Sequence, residues 1–417
     1  ATDRSADVVA FTAWENNYDT DSYDFQAIKL VDFTTGQPVE GYDSLWKDYA
    51  VGVNVAVAQD GGVAAVVVSK YDVDDDEFWS DESIIGALTI LNKGGDSSWS
   101  VLGTGTESEG MGVPGDFVSL SGDGRIVAVG SADVVALYGV ILPEGEGGAG
   151  DHATTEDTSD NAGSNADTDA GSETDVDADA DTEAGKFDIC APYPDVEPGT
   201  SPGVLDSLPK SPDEHTIAFA LSSDASFIAI GIDSYDGEDR GLAKVYGWSC
   251  SDAKYMPIGQ DLFGEEEFDG FGQSVDLTSD GKTLVVGANQ PPPGKSGYVE
   301  VYSLAEDGGD DGASFEWKLV GQRIGDLPDN VGDVGREVKI SHDGTVVTFL
   351  GSIVSEAADG YGYDHSFVRT VHNKDGEWKP LGDDLVASVD FDEYGSETHI
   401  SMAGDGNTLA VVGSYGD

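Results

Sequence analysis

Two runs of carboxylates have a spacing that could do chemistry: Asp72, Asp74, Asp76 and Glu77 in KYDVDDDEFWSDE, and Asp233, Asp236, Glu238 and Asp239 in DSYDGEDRG. Acidic side chains two residues apart in a loop repel one another. A hard divalent cation, which takes several oxygen ligands, would replace that repulsion with coordination. Calcium is therefore the expected cofactor. The competing reading of the same residues is a solvated acidic face with no metal. Other chemistry finds no footing. The two GxGxxG matches, at Gly110 to Gly115 and Gly145 to Gly150, do not open a helix after a strand, so they make no phosphate cradle. GTSPG around Ser201 lies in a Pro/Gly-rich connector rather than a strand-turn-helix elbow. The six histidines show no HExxH spacing, and the six arginines stand at scattered positions with no evident substrate clamp. No catalytic residue is assigned, and the chain reads as a non-enzyme.

The elements that must carry these loops come from a repeat. A short alternating strand, a turn with Asp, and an apolar strand ending in a small residue recur as VAVAQDGGVAAVVVS, VSLSGDGRIVAVGS, FALSSDASFIAIGI, VDLTSDGKTLVVGA, VKISHDGTVVTFLGS and ISMAGDGNTLAVVGS. The turn aspartates Asp60, Asp123, Asp224, Asp280, Asp343 and Asp405 are 63, 101, 56, 63 and 62 residues apart, the long interval containing an insertion. Each unit continues with a polar loop, a third strand such as YVEVYSL and a fourth of the form Trp-x-x-x-Gly, at Trp99, Trp317 and Trp378, with Tyr255 in the same place. Four strands and no helix per unit predict an all-β chain. Such small sheets must pack face to face around an axis, so the fold class is a β-propeller of four-stranded blades. The tryptophans are expected to be blade packing. Counting the partial units at both ends separately gives seven blades. If the C-terminal strand from Thr398 completes the first unit, the count is six with a surplus strand. The sequence stops after two strands of a repeat, which leads us to expect that the natural chain continues beyond Asp417.

In a four-stranded blade, the loops joining strands two and three and those leading to the next blade emerge on one face. Here they include NNYDTDSYD, KYDVDDDEFWSDE, SYDGEDRG, GEEEFDGFG and DFDEYG, so one face should be crowded with carboxylates.

The stretch FGQSVDLTSDGKTLVVGANQPPPGKSGYVEVYSL from Phe271 resembles the FG-GAP repeat of integrin α-subunit propellers. The fuller unit, with its Trp-x-x-x-Gly strand and acidic Phe-Gly linker, resembles the secreted propeller-repeat proteins of diatoms and related stramenopile algae. The resemblance implies the propeller fold over nearly the whole chain and an extracellular setting. Integrin repeats carry calcium between the first two strands on an Asp-x-Asp-x-Asp-Gly loop. These turns are only Ser-x-Asp-Gly or shorter, so the resemblance does not bring calcium to them.

Asp and Glu number 81 against 20 Lys and Arg in the 417 residues, a formal net charge of -61. That charge argues against nucleic acid or an anionic membrane as partner and favours cations and cationic surfaces. No run of 18 apolar residues occurs and no membrane insertion is expected; the Ala1 start would suit a mature end left by signal cleavage. Cys190 and Cys250 permit one disulfide. Residues 144–183 are Asp, Ala, Thr, Gly and Ser with almost no large apolar side chain, an acidic low-complexity insertion within a blade turn of a single domain spanning 1–417. DVDADADTE in it imitates a calcium loop without the sixth-position glycine.

The expected function is a secreted structural or adhesive module of an extracellular assembly such as a cell wall, surface filament or matrix, binding proteins, copies of itself or glycans. The alternative is a propeller hydrolase or lyase using paired carboxylates on a polysaccharide. Because the insertion interrupts a turn and not a strand, deleting residues 144–183 should leave the thermal transition within a few degrees. Scanning calorimetry of the deletion variant checks this, and a collapsed transition would mean the acidic loop packs on the disc.

Overall fold

The computed structural model describes residues 8–17, 22–32, 37–38, 50–59, 61–71, 84–93, 99–106, 117–130, 135–140, 218–233, 240–290, 296–309, 312–325, 331–357, 360–386 and 398–413. Among them every regular element is a strand, and the strands form seven sheets. The first holds β1 (Val8–Asn17), β2 (Ser22–Asp32) and β3 (Gln37–Pro38). The second holds β4 (Ala50–Val57), β5 (Val63–Tyr71), β6 (Ile84–Lys93) and β7 (Trp99–Thr106), and the third β8 (Phe117–Leu120), β9 (Ile126–Gly130) and β10 (Val135–Gly139). In the fourth, β11 (Ala218–Leu221), β12 (Phe227–Ile232), β13 (Leu242–Ser249) and β14 (Lys254–Pro257) lie in order, and β15 (Leu262–Phe263) also pairs with β13. The fifth is β16 (Phe271–Leu277), β17 (Thr283–Ala288), β18 (Tyr298–Gly309) and β19 (Gly312–Leu319). The sixth is β20 (Val331–Gly332), β21 (Val338–Ile340), β22 (Val346–Ala357), β23 (Gly360–Lys374), β24 (Glu377–Pro380) and β25 (Leu385–Val386). The seventh is β26 (Thr398–Met402) and β27 (Leu409–Gly413), and among the described residues neither of these pairs with β1.

The first strands β4, β8, β11, β16, β21 and β26 touch in succession, so they converge on a common axis. Their turns are stitched together by backbone bonds: Gln59 N–H to the Gly122 carbonyl at 3.0 Å, Gly122 to Ser223 at 2.6 Å, Ser223 to Ser279 at 2.8 Å and His342 to Gly404 at 2.8 Å. Antiparallel sheets arranged in this way are the blades of a β-propeller.

Asp60 lies outside the described residues; the other turn aspartates each serve their own turn. Asp280 Oδ1 accepts the Thr278 hydroxyl at 2.7 Å and the Lys282 N–H at 3.0 Å, while the Thr278 oxygen accepts the Thr283 N–H at 3.0 Å. Ser121 with Asp123, Ser222 with Asp224 and Ser341 with Asp343 repeat the pattern. The residue after the aspartate takes a positive φ, 68° at Gly281 and 72° at Gly344, and in SSDAS the alanine Ala225 takes it at 54°.

The core is a series of seams and not one cluster. Second strands carry runs that are apolar on both faces, as in FIAIGI of β12, so alternate residues feed opposite seams. Ile228 and Ile230 pack toward the third sheet with Ile126 and Ala128, whereas Ala229 packs toward the fifth with Leu284 and Val286. Val285 in turn faces Val338, Val347 and Phe349 of the sixth.

Across two seams the Trp-x-x-x-Gly motif acts as a lock. Trp317 Nε1 donates to the Ile258 carbonyl of the preceding sheet at 3.0 Å, and Trp378 Nε1 to the Val320 carbonyl at 2.8 Å. The next glycine, Gly259 or Gly321, has φ of +74°, and a Cβ on Gly259 would stand 2.6 Å from Trp317 Cδ1. The following glutamine clasps the backbone of the same tryptophan: Gln260 Nε2 donates to the Trp317 carbonyl at 2.7 Å and its Oε1 accepts the Trp317 N–H at 2.9 Å, with Gln322 repeating this on Trp378 at 2.8 and 3.1 Å. The left-handed Gly-Gln step interrupts the pairing with the third strand, so the fourth strand is broken into β14 and β15, or β24 and β25, both antiparallel to that third strand, where one strand was expected. Cys250 is disulfide-bonded, and the only other cysteine in the sequence is Cys190.

Gly382, at the same place in the sixth sheet, has φ of +85° but nothing within 4 Å of an added Cβ among the described residues. Gly382→Ala should therefore cost only the left-handed strain, about 1 kcal/mol. Gly259→Ala should cost about 1–3 kcal/mol more through the clash with Trp317. Equilibrium urea unfolding of the two variants measures the difference, and equal losses would contradict the lock.

Candidate functional site

Of the carboxylates expected to hold a cation, Asp72, Asp74, Asp76, Glu77, Asp236, Glu238 and Asp239 lie outside the described residues. Asp233 follows the end of β12 and is half-buried. Among the described residues no group of three or more His, Cys, Asp or Glu side chains is arranged to hold a metal ion. DFDEYG and the insertion also fall outside the described residues. The acidic loop that is described is GEEEFDG, residues 264–270, between β15 and β16.

This loop is built on Asp269, which is buried although its neighbours are exposed. Its Oδ2 accepts the backbone N–H groups of Glu265 at 2.9 Å and Glu266 at 3.0 Å and the Tyr298 hydroxyl at 2.9 Å, and its Oδ1 accepts the Gln290 side-chain amide. Four donors satisfy a carboxylate that would otherwise be costly to bury. Gly264 is required because a Cβ there would lie 2.1 Å from the Arg240 carbonyl oxygen. With its backbone fixed from beneath, the loop holds Glu265, Glu266 and Glu267 out to solvent, together with Phe268, an exposed phenylalanine at φ of +63°. A bulky residue in that region costs on the order of 1 kcal/mol.

Under the loop sits a cation. The Arg323 guanidinium lies over the Tyr298 ring, 3.8 Å from its centroid, and pairs with Glu300 at 2.7 Å and Glu265 at 3.3 Å. Tyr302 donates its hydroxyl to Glu300. Burial, and then the negative charge of Asp269, pushes the Tyr298 hydroxyl well above the usual phenol range; burial and Glu300 do the same to Tyr302. Burial opposes the charge on Arg323, but Glu300 and the other anions around it hold it protonated.

The Glu300–Arg323 pair occupies a position that the repeat fills three times. Lys244 and Asp261 stand there in the fourth sheet at 3.2 Å, and Arg369 and Asp384 in the sixth, where two bonds of 2.7 Å make the contact bidentate. The third strand carries the cation in the fourth and sixth sheets and the anion in the fifth. That reversal places Arg323 where Asp261 and Asp384 stand, beneath the glutamates. Two of the six arginines, Arg323 and Arg369, thus occupy the two sides of one recurring pair. Asp269, Glu300 and Arg323 were missed because nothing in EEEFD marks the fourth carboxylate as the buried one. The available signal was the charge two residues after Trp-x-x-x-Gly.

Carboxylates also join first strands near the axis. Asp276 accepts the N–H of Ile340 on the next first strand at 2.9 Å, and burial pushes its carboxyl above the ordinary range. Glu337 accepts the Ile400 N–H at 3.1 Å. Burial opposes its ionisation, but its hydrogen bond with His399 and the charge of Lys339 bring it below the ordinary range. The exposed His399 lies 3.4 Å from it.

No protein-family model matches the chain. No curated protein matches it either. Among solved structures, the β-propeller domain of Myceliophteria thermophila Cps50 (Swd1) aligns at a TM-score of 0.51 and 10% identity, over 99% of this chain and 91% of that one. A Bacteroides uniformis protein assigned as a 6-phosphogluconolactonase aligns at 0.47 and 13% identity, over 97% of this chain and 89% of that one. Hydrazine synthase of Kuenenia stuttgartiensis aligns at 0.44 and 10% identity, over 89% and 76%. The Cps50 domain supports the propeller fold, and at this identity the likeness extends to fold alone.

Asp269→Ala would strand two backbone N–H groups, the Gln290 amide and the Tyr298 hydroxyl, at a cost of roughly 3 kcal/mol. At about 2 cal/mol/K of unfolding entropy per residue, the melting temperature should fall by about 3–4 °C. Glu266→Gln, an exposed change on the same loop, should leave it unmoved. Differential scanning calorimetry of both variants decides whether Asp269 holds the loop.

Proposed function

We propose that the chain is a non-enzymatic structural or adhesive propeller module of an extracellular assembly, such as a cell wall, surface filament or matrix. It is secreted or held at the cell surface, its contacts are assisted by calcium, and its partners are other proteins, copies of itself or glycans. The observation that carries this reading is the loop at 264–270. One buried carboxylate is spent on fixing the backbone, while three glutamates and a strained phenylalanine are held outward on a rigid blade. An apolar ring flanked by anions suits a partner that is cationic and partly apolar, or one bridged by a divalent ion. The disulfide at Cys250 supports export, since such bonds persist in oxidising compartments. The net charge of -61 supports a cationic partner and disfavours a polyanionic one.

Calcium that binds the folded chain alone must stabilise it, by about 2.7 kcal/mol when free calcium is 100 times the dissociation constant. Sodium chloride of matched ionic strength screens repulsion without coordinating and is the control. The expected result is a rise in melting temperature with calcium beyond that with sodium, reversed by chelation. The triple Gln variant of Glu265, Glu266 and Glu267 should keep its fold and bind a cationic surface more weakly. Equal effects of the two salts would remove calcium from the reading. Turnover of a polysaccharide, lost on changing one carboxylate pair, would overturn the structural role itself.

A further inference from the structure

Two of the described seams are stapled near the axis in the same way. A carboxylate on one first strand accepts a backbone N–H of the next, and the residue before that N–H carries a basic side chain. Between the fifth and sixth sheets Asp276 Oδ2 accepts the Ile340 N–H at 2.9 Å, and Lys339 precedes Ile340. Between the sixth and seventh, Glu337 Oε2 accepts the Ile400 N–H at 3.1 Å, and His399 precedes Ile400. The charge of Lys339 favours ionisation of Asp276. His399 Nδ1 lies 3.4 Å from the same Glu337 oxygen that takes the Ile400 N–H. The staples differ in one respect: an ammonium keeps its charge across the neutral range, whereas an imidazole gains or loses it there.

The seam that carries the histidine also has less apolar material to hold it. Among the described residues, Leu350, Val368 and Ile400 are the buried apolar side chains across it, with Leu409 against them. Across the seam before it, Val285, Val338, Val347 and Phe349 are only part of the cluster. Its other described links include the His342 N–H to the Gly404 carbonyl at 2.8 Å and a long contact of 3.5 Å from Arg336 Nη2 to the Thr398 carbonyl. A change of one charge therefore alters a larger share of what holds this seam.

We propose that His399 is a pH-dependent latch, holding β26 against β21 more tightly when its imidazole is protonated than when it is neutral. The pair requires an ionised Glu337. That carboxyl sits below the ordinary range, so its contribution is complete above that range and is lost only as pH falls through its lowered value. The charge on an imidazole appears higher up, as pH falls through the neutral range. The other charged groups around the pair act elsewhere or do not change. Lys339 and Arg336 on the sixth sheet keep their charge across that range. Any titration of Asp276, which burial raises, falls on Ile340, whose N–H it accepts. His342 is the other imidazole of this seam. Its ring lies at the turn end, where a Cβ on Gly404 would meet it, so its effect falls first on its own N–H bond to Gly404. The latch is independent of what the acidic loop binds.

The two reporting amides both belong to isoleucines, so the full chain carrying isotopically labelled isoleucine reads both staples by NMR, with Ile340→Val and Ile400→Val giving the assignments. Amide exchange is followed at about pH 8 and about pH 6, on either side of the imidazole range, and corrected for the intrinsic pH dependence of exchange. Ile400 should be protected about two- to fivefold more at the lower pH, the range for a partly exposed ion pair, and Ile340 should gain nothing. In His399→Lys, which keeps the cation and removes the titration, Ile400 should hold the higher protection at both pH values. In His399→Gln it should hold the lower protection at both. The side chain of His399 is 68% exposed, so neither change disturbs the core. Equal protection of Ile400 at the two pH values in the unaltered chain overturns the proposal. So does a rise that survives in His399→Gln, which would assign the effect to His342, or a rise shared by Ile340, which would mark a change in the stability of the whole fold.

Discussion

The docking of one sheet's indole on the glycine of the sheet before it is the contact on which the rest of the architecture depends. Each sheet is apolar on both faces and only a few strands wide, so it cannot be stable in water by itself. Hydrophobic burial brings sheets together but is indifferent to small slides and rotations. The indole N–H and the glutamine clasp at Trp317 and Trp378 are directional, and they fix which residues oppose each other across the seam. Once that register is set, the interdigitation of Leu284, Val286 and Ala229 follows from the repeat.

Why so much of this was legible in the sequence, and why some was not, follows from the range of each interaction. The Ser-x-Asp turn is closed by atoms within five residues of each other, so it reads directly from a short string. The second strands are apolar without alternation because both faces are buried, which is visible as VVGA or FIAIGI. The tryptophans were legible as packing, but their indole acceptors were not, because those lie 58 or 59 residues away in the chain. The carboxylates named for a cation were chosen by local density. The loop GEEEFDG owes its form instead to Asp269, whose partners Gln290 and Tyr298 come from another part of the fifth sheet. Local density cannot reveal which acid is turned inward.

The chain carries its large negative charge with few cations because many aspartates are satisfied by hydrogen-bond donors. In the turns a hydroxyl and one or two backbone N–H groups do this. At Asp343 burial opposes the charge, yet the donors Ser341 and Thr345 bring the carboxyl below its ordinary range. The scarce cations are used where two strands must be held side by side. Lys244, Arg323 and Arg369 each pair with an acid across the third strand and the Gly-Gln step. Reversing the sign in the fifth sheet leaves that local function intact and adds another, since Arg323 also reaches Glu265 of the exposed loop.

The loop therefore separates what holds from what is shown. A sequence shaped only by folding would place glycine or asparagine where φ is +63°, as glycine stands at 270, 281 and 344 with similar φ. Phenylalanine at 268 pays the left-handed strain and leaves most of its ring in water, so it returns nothing to the core. The strain is tolerable because Asp269 closes the loop with four donors of its own, independent of the side chain at 268. A residue that costs stability and buries little is the ground for the proposal that its side chain meets a partner. It is why the proposed contact is placed on this loop, ahead of the more numerous carboxylates elsewhere in the sequence.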